Sequence, residues 1–128
     1  MSRSLREVAE KVLALWSAGE NLPGELLDPE VEWVNPTDSV ESGTRHGTAG
    51  WEGAERNWTQ SFSEVRFEIE RAEERGDLVA TAVRCFSTAR GSGLEIERVL
   101  GFLWTIREGR VVRFEWSNDP EEVLRRLA

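Results

Sequence analysis

The sequence predicts an α+β domain, in which a curved, mainly antiparallel sheet wraps around helices gathered at the N-terminal end. Three observations carry that expectation. Leu78–Ser87, Leu94–Ile106 and Val111–Asn118 read as long, mostly alternating strands. Arg107-Glu108-Gly109-Arg110 is a tight turn joining the last two. Amphipathic helical stripes come before these long strands rather than between them, which indicates an α+β arrangement. A long antiparallel sheet preceded by such helices can curl into a cone with an apolar mouth.

Leu5, Val8, Val12, Leu15 and Trp16 recur at helical spacing; Ser4 and Glu7 form a capping box at the start, and Gly19 stops the stripe. Leu22–Leu27 is expected to be a short second helix closed by Asp28-Pro29. Val31–Asn35 alternates as a short strand, with Val31, Trp33 and Asn35 on one face, and Pro36 ends it. Thr37–Gly47 is rich in Ser, Thr, Gly and charge, a loop or a short edge hairpin. Thr48 is the expected cap of a third helix whose Trp51, Ala54, Glu55 and Trp58 share a face. Val65, Phe67 and Ile69 alternate with charge, as in a strand wetted on one side. Gly76-Asp77 and Gly91-Ser92-Gly93 separate the following strands. Asp119-Pro120-Glu121-Glu122 stops the sheet and opens a last helix.

Composition narrows the function classes. A chain of 128 residues without linker or repeat suits one domain spanning 1–128. The formal net charge of −8 argues against nucleic acid and anionic membranes as partners. Met1-Ser2-Arg3-Ser4 lacks the apolar core of a signal peptide, and the single cysteine, Cys85, suits a reducing cytoplasm. No His/Cys/carboxylate group has metal-ligand spacing, and neither a phosphate-binding glycine loop nor a Ser-His-Asp set is discernible, so no metal and no cofactor are expected. Six tryptophans and no tyrosine leave two readings: core packing, or walls of a cavity for a flat, greasy ligand.

Leu26-Leu27-Asp28-Pro29-Glu30-Val31-Glu32-Trp33, Arg45-His46-Gly47, Gly91-Ser92-Gly93, Trp104-Thr105 and Glu108-Gly109-Arg110-Val111-Val112 occur in an order and spacing that resemble the nuclear-transport-factor-2-like superfamily. Within it, the chain is similar to the SnoaL-like group of polyketide-cyclase and ketosteroid-isomerase relatives. The resemblance covers almost the whole chain. It implies a strongly curved sheet against three helices, a conical apolar pocket and, often, a homodimer.

It does not supply a catalytic set. The ketosteroid-isomerase base precedes the proline that ends the first strand, and here that position is Asn35, an amide that takes up no proton near neutral pH. The oxyanion-binding aspartic acid best matches Phe102, and its helix-one tyrosine matches Val12. Trp33-Val34-Asn35 matches the aromatic-x-Asn pair of limonene-type epoxide hydrolases loosely. Their Arg-x-Asp falls on Val83-Arg84-Cys85 without the carboxylate, and their last-strand aspartate falls on Trp116. The paired histidines of scytalone dehydratases have only His46 to match.

Strand alternation combined with the family pattern puts Trp33, Asn35, Leu100, Phe102, Phe114, Trp116 and Asn118 on the concave face, joined by Val83 and Cys85. Apart from Cys85, expected to be a buried, inert thiol, these are the candidate substrate-binding residues, with Asn35 as the most buried polar one. Arg98 shares the parity of Leu100 and Phe102; inward, it needs a partner and indicates an anionic ligand. Arg84 and Glu115 read as convex-face charges. His46 is either a surface histidine or a contributor from a loop folded over the pocket. Two functions from different classes follow. One is a protein that binds a small hydrophobic molecule and acts on it as an isomerase, cyclase or hydrolase; the other is a non-catalytic binding or dimerisation module. Val99, Leu103 and Val112 alternate onto the convex face, where an uncovered apolar patch predicts the homodimer.

Overall fold

The computed structural model describes residues 4–127. Helix α1 (Leu5–Ser17) starts as its sequence requires, with Ser4 Oγ accepting from Glu7 N at 3.2 Å. Strand β1 (Leu27–Asn35) and the short β2 (Gly43–His46) form a hairpin, with Trp33 opposite Arg45. Helix α2 (Gly47–Ser61) leads directly into β3 (Phe62–Arg75). Then come β4 (Leu78–Ala89), β5 (Glu95–Arg107), β6 (Arg110–Ser117) and α3 (Pro120–Arg125).

The six strands form one mixed sheet in the order β2-β1-β6-β5-β4-β3. Only the β1–β6 pair is parallel, the rest being antiparallel. The β5–β6 hairpin closes through Glu108 and Gly109, with φ of 53° and 74°. Left-handed backbone at both central residues matches the right-handed twist of the strands. Register breaks at Leu27/Glu32, Phe62/Glu64, Ile69/Arg71 and Thr105/Ile106 let the strands bend.

Two cores result. Helix α1 lies over β3–β5 and α2 over β1–β3, covering one face. Beneath them Val8, Val12, Trp33, Trp51, Val83, Phe102, Trp104 and Phe114 are almost wholly buried. On the opposite face α3 lies over β4 and β5, where Val123, Leu124 and Leu127 close over Ala80, Ala82 and Leu103. Arg6 N donates to Glu74 Oε1 at 2.7 Å and Phe67 N to Ser17 Oγ at 3.0 Å, fixing both ends of α1 against β3.

Four local expectations are corrected. No α-helix forms at Leu22–Leu27, only a 3-10 turn at Gly24–Leu26. Leu27 already belongs to β1, opposite Val111, so the strand begins four residues before Val31. Pro29 misleads there: it stands inside the strand, at the register break where its missing N–H leaves no ladder bond unmade. Thr48 is not the cap of α2, because the helix begins at Gly47, after His46 in extended backbone. The expected apolar opening on the convex face is smaller too, since α3 leaves Leu103 only 2% exposed.

Candidate functional site at the mouth of the cone

The cone is filled at its depth. Phe114 lies 4.7 Å from both Trp33 and Trp104 and 5.0 Å from Phe102, centroid to centroid, while Trp33 lies 4.8 Å from Trp51. Tilted and edge-on pairs at such separations suit aromatic quadrupoles and leave no room between the rings. The polar atoms there are mostly satisfied: Trp104 Nε1 donates to Thr81 Oγ1 at 3.1 Å, and Thr81 Oγ1 to the Phe102 carbonyl at 3.2 Å. Trp33, Val83 and Phe114 are therefore core residues and do not line the cavity at the mouth.

What remains open is a cavity of about 90 Å³ at the mouth, between α2 and strands β3–β6. It is lined by Trp58, Phe62, Val65, Phe67, Cys85, Ser87, Arg98, Leu100, Phe102 and Trp116. Of the residues expected from sequence, Leu100, Phe102 and Trp116 reach it, as do Cys85 and Arg98. Strand pairing brings them together: Phe67 faces Cys85, Cys85 faces Arg98, and Phe102 faces Trp116. Burial pushes the Cys85 thiol up, which outweighs its contact with Ser87 Oγ at 3.9 Å and the nearby positive charge of Arg98. It remains a protonated, weakly nucleophilic thiol at neutral pH.

The two asparagines sit elsewhere than expected. Asn35 is half-buried at the rim, its Oδ1 accepting from Trp33 Nε1 at 3.0 Å and from Trp116 Nε1 at 2.8 Å. Its Nδ2 donates to Glu41 Oε1 at 3.3 Å, and Glu41 in turn takes Arg45 Nε at 2.6 Å and Nη2 at 2.7 Å. These bonds, Arg45's first, hold the Glu41 carboxyl below its usual value. Both Asn35 oxygen lone pairs are thus occupied by the protein itself. Asn118 Oδ1 accepts from Arg98 Nη2, which holds the guanidinium at the edge of the mouth. Asn35 and Asn118 border a separate depression beside Pro36, Asp38 and Glu122. The expectation that Trp33, Asn35, Phe102, Phe114, Trp116 and Asn118 surround one cavity is corrected: two are core, two are rim clamps and two line the mouth.

His46 is also outside the mouth. It lies on the edge strand β2, largely exposed, with Nδ1 3.4 Å from Glu32 Oε2. Arg84 and Glu115 are on the convex side, as their parity implies: Arg84 pairs with Glu70 at 2.7 Å, and Glu115 with Arg126 at 3.0 Å.

Sequence reasoning missed a carboxylate. Glu55 is half-buried on the inner side of α2, and its Oε2 accepts from Trp16 Nε1 at 2.6 Å. Burial raises its carboxyl above the ordinary value, outweighing the Trp16 hydrogen bond. The fully buried Trp51 Nε1, one turn earlier, has no aligned acceptor, though it is near enough to favour the ionised Glu55. The signal was available: Glu55 is the one charged residue on the stripe Trp51, Ala54, Trp58.

Among the described residues no group of three or more His, Cys, Asp or Glu side chains converges to hold a metal ion. No helix is long and apolar enough to cross a membrane.

A family model for the SnoaL-like domain matches residues 9–114. The chain belongs to the SnoaL-like family. Solved structures with the same fold include an NTF2-like protein of unknown function from Burkholderia pseudomallei, 22% identical, covering 97% of both chains at a TM-score of 0.77. IdmH, a putative polyketide cyclase from Streptomyces antibioticus, is 20% identical, with 98% of this chain and 99% of that one covered at 0.76. TerC, co-crystallised with polyporic acid, is 21% identical, with 96% of each chain covered at 0.77. No curated protein sequence matches the chain. At these identities the likeness is one of fold. In this SnoaL-like domain the depth of the cone is closed with tryptophan and phenylalanine.

Proposed function

We propose that this SnoaL-like domain binds a flat, largely apolar small molecule at the mouth of the cone, without the acid–base set that isomerase relatives use. The observation that carries the reading is the cavity of about 90 Å³ itself, walled by Trp58, Phe67, Leu100, Phe102 and Trp116 with one cation, Arg98, at its edge. Apolar walls with a few polar anchors are the usual makeup of a small-molecule site. The volume admits one ring or a short branched group, so a larger ligand inserts an edge and leaves its remainder over the rim. Arg98 suits a carboxylate, an enolate or an acidic phenol on the inserted edge. TerC, which shares the fold, was co-crystallised with polyporic acid, and an acid at the mouth fits this reading.

The catalytic alternative lacks its groups. Asn35 is an amide engaged by two indoles, Phe102 donates nothing, and Cys85 is held protonated. A binding protein, or one that orients a reactive polyketide-like molecule for a change the molecule undergoes on its own, fits the mouth better than a proton-transfer enzyme.

The test is a thermal-shift and tryptophan-fluorescence screen of hydroxylated aromatic acids and quinones. Binders should raise the unfolding temperature and quench fluorescence in the wild type. Val65→Trp, which fills the mouth, should abolish both effects, and Arg98→Ala should weaken acidic ligands selectively. Equal binding of acidic and neutral analogues would remove Arg98 from the reading, and no saturable binding by any member would overturn it.

A further inference from the structure

Trp58 borders a second opening. A groove of about 590 Å³ runs between the end of α1, the inner side of α2 and the start of β3, and Glu55 lies in its wall with Trp16, Trp58, Phe62 and Phe67. We propose that this groove is a site for a small organic ammonium ion, tertiary or quaternary, with the Glu55 carboxylate as counter-charge and the Trp58, Phe62 and Phe67 rings as its apolar wall.

The charge balance around Glu55 points to a cation. Its Oε2 is fixed by Trp16 Nε1, the Trp51 indole N–H lies close by without an aligned bond, and no Lys or Arg among the described residues pairs with it. Two other half-buried carboxylates, Glu32 and Glu115, each have arginine beside them: Arg113 for both, and Arg126 for Glu115 as well. The two arginines bordering the groove are committed elsewhere. Arg90 Nε donates to the Thr59 carbonyl at 2.6 Å, and Arg66 pairs with Glu68 at 2.8 Å while lying 4.2 Å from the centre of the Phe86 ring. Glu20 and Glu64 add negative charge at the rim.

The walls select among cations. Aromatic faces carry negative quadrupoles and attract cations that shed water easily. A hydrated metal ion needs several oxygen ligands, and the groove offers one half-buried carboxylate. A primary ammonium keeps three strong donors that the rings cannot satisfy. A quaternary ammonium has no N–H, and a tertiary one has a single donor that Glu55 can accept; in both, methyl groups pack on the rings and the diffuse charge faces Glu55. The edge-on Trp16–Trp58 pair, with centroids 4.9 Å apart, holds the wall rigid. Burial alone disfavours the Glu55 charge, so a cation seated there relieves a penalty that the folded chain otherwise carries.

The experiment is a calorimetric and tryptophan-fluorescence titration of the full chain with choline and with tetramethylammonium, at low salt and neutral pH, beside the uncharged carbon isostere of choline. Saturable binding of both cations and none of the isostere is expected. Glu55→Gln should weaken the cations by about tenfold or more, and Trp58→Leu by about fivefold, as for loss of a desolvated counter-charge and of a cation–π face. Glu52→Gln, an exposed charge on the same helix, should leave affinity within about twofold, as a screened surface charge does. Thermal melts of each variant establish that it folds. The proposal is overturned if the isostere binds as tightly as choline, if Glu55→Gln leaves choline affinity unchanged, or if neither cation binds saturably.

Discussion

Asn35 joins three parts of the chain through one amide. Its Oδ1 takes the indole N–H groups of Trp33 in its own strand and Trp116 across the sheet, and its Nδ2 reaches Glu41 in the following loop. Asn35→Ala strands the N–H of Trp33, which is only 2% exposed, and should destabilise the fold by about 1–3 kcal/mol in urea unfolding. Asn35→Asp keeps the accepting oxygen and should cost less. It should not create a base either, because two indole donors favour the ionised carboxylate and make it a poor proton acceptor. An Asn35→Asp protein that isomerises a β,γ-unsaturated ketone at an enzymatic rate would refute this. Glu55 behaves oppositely. Its folded carboxyl is raised by burial, so folding disfavours its charge. The stability tied to its proton is present in full below the ordinary value of 4.5 and is lost as pH rises through the raised one. Glu55→Gln keeps an acceptor for Trp16 without the charge. Its melting temperature should exceed that of the wild type at neutral pH, and the difference should vanish in acid below that ordinary value. A wild type that gains on the variant as pH rises would show that the Trp16 bond, not burial, dominates. Parity placed Asn35 correctly on the face of Trp33, but alternation says nothing of cross-strand partners. Trp116 Nε1 therefore appeared only once β1 and β6 were seen side by side.

Elements were the most legible level, because their signals are local. The helical stripe of α1, the Glu108-Gly109 turn and the three long C-terminal strands follow from periodicity and turn chemistry within a few residues. The failures occur where a distant partner decides. Leu27 and Asp28 read as a helix end because nothing nearby reveals that Leu27 pairs with Val111, and Pro29 looks like a terminator until the register break beneath it is known. The second core is a similar case. Pro120 and Asp119 announce α3, and the Asp119 side chain accepts from Glu121 N at 3.0 Å. Where α3 lands is set by Gly101, a position that parity alone does not single out. A Cβ on Gly101 would stand 2.7 Å from Val123 Cγ2 and 2.8 Å from Pro120 Cα. Gly101→Ala therefore requires α3 to lift from β5, and the overpacking should cost about 1–3 kcal/mol. Hydrogen exchange should show the loss first in the amides of α3. Exchange accelerated uniformly across the sheet would mean that α3 does not dock as a separable unit.

At the scale of the whole molecule, the two faces of the sheet have different fates. The concave face is consumed by its own aromatics, which is why six tryptophans yield a small mouth rather than a deep cone. Composition alone left cavity wall and core filling open, and only packing decides between them. The convex face is partly closed by α3, and the remainder is where we propose a homodimer forms. There Phe86 and Val99 are half-buried among Arg66, Glu68, Arg84 and Glu97, with Glu70 at the bulge. Arg84 lies between Glu70 at 2.7 Å and Glu97 at 3.4 Å, so acids and bases alternate across the patch. A two-fold axis through such a patch can set each arginine against the partner copy's carboxylates while the Phe86 and Val99 side chains meet at the centre. Exposed pairs of this kind contribute little singly and are screened by salt, so the apolar centre must supply most of the affinity. Light scattering at micromolar concentration should give twice the chain mass. Phe86→Glu should produce the monomer outright, and added salt should loosen the dimer only modestly. A wild type that stays monomeric under those conditions would leave this face solvated and the mouth of the cone complete within one chain.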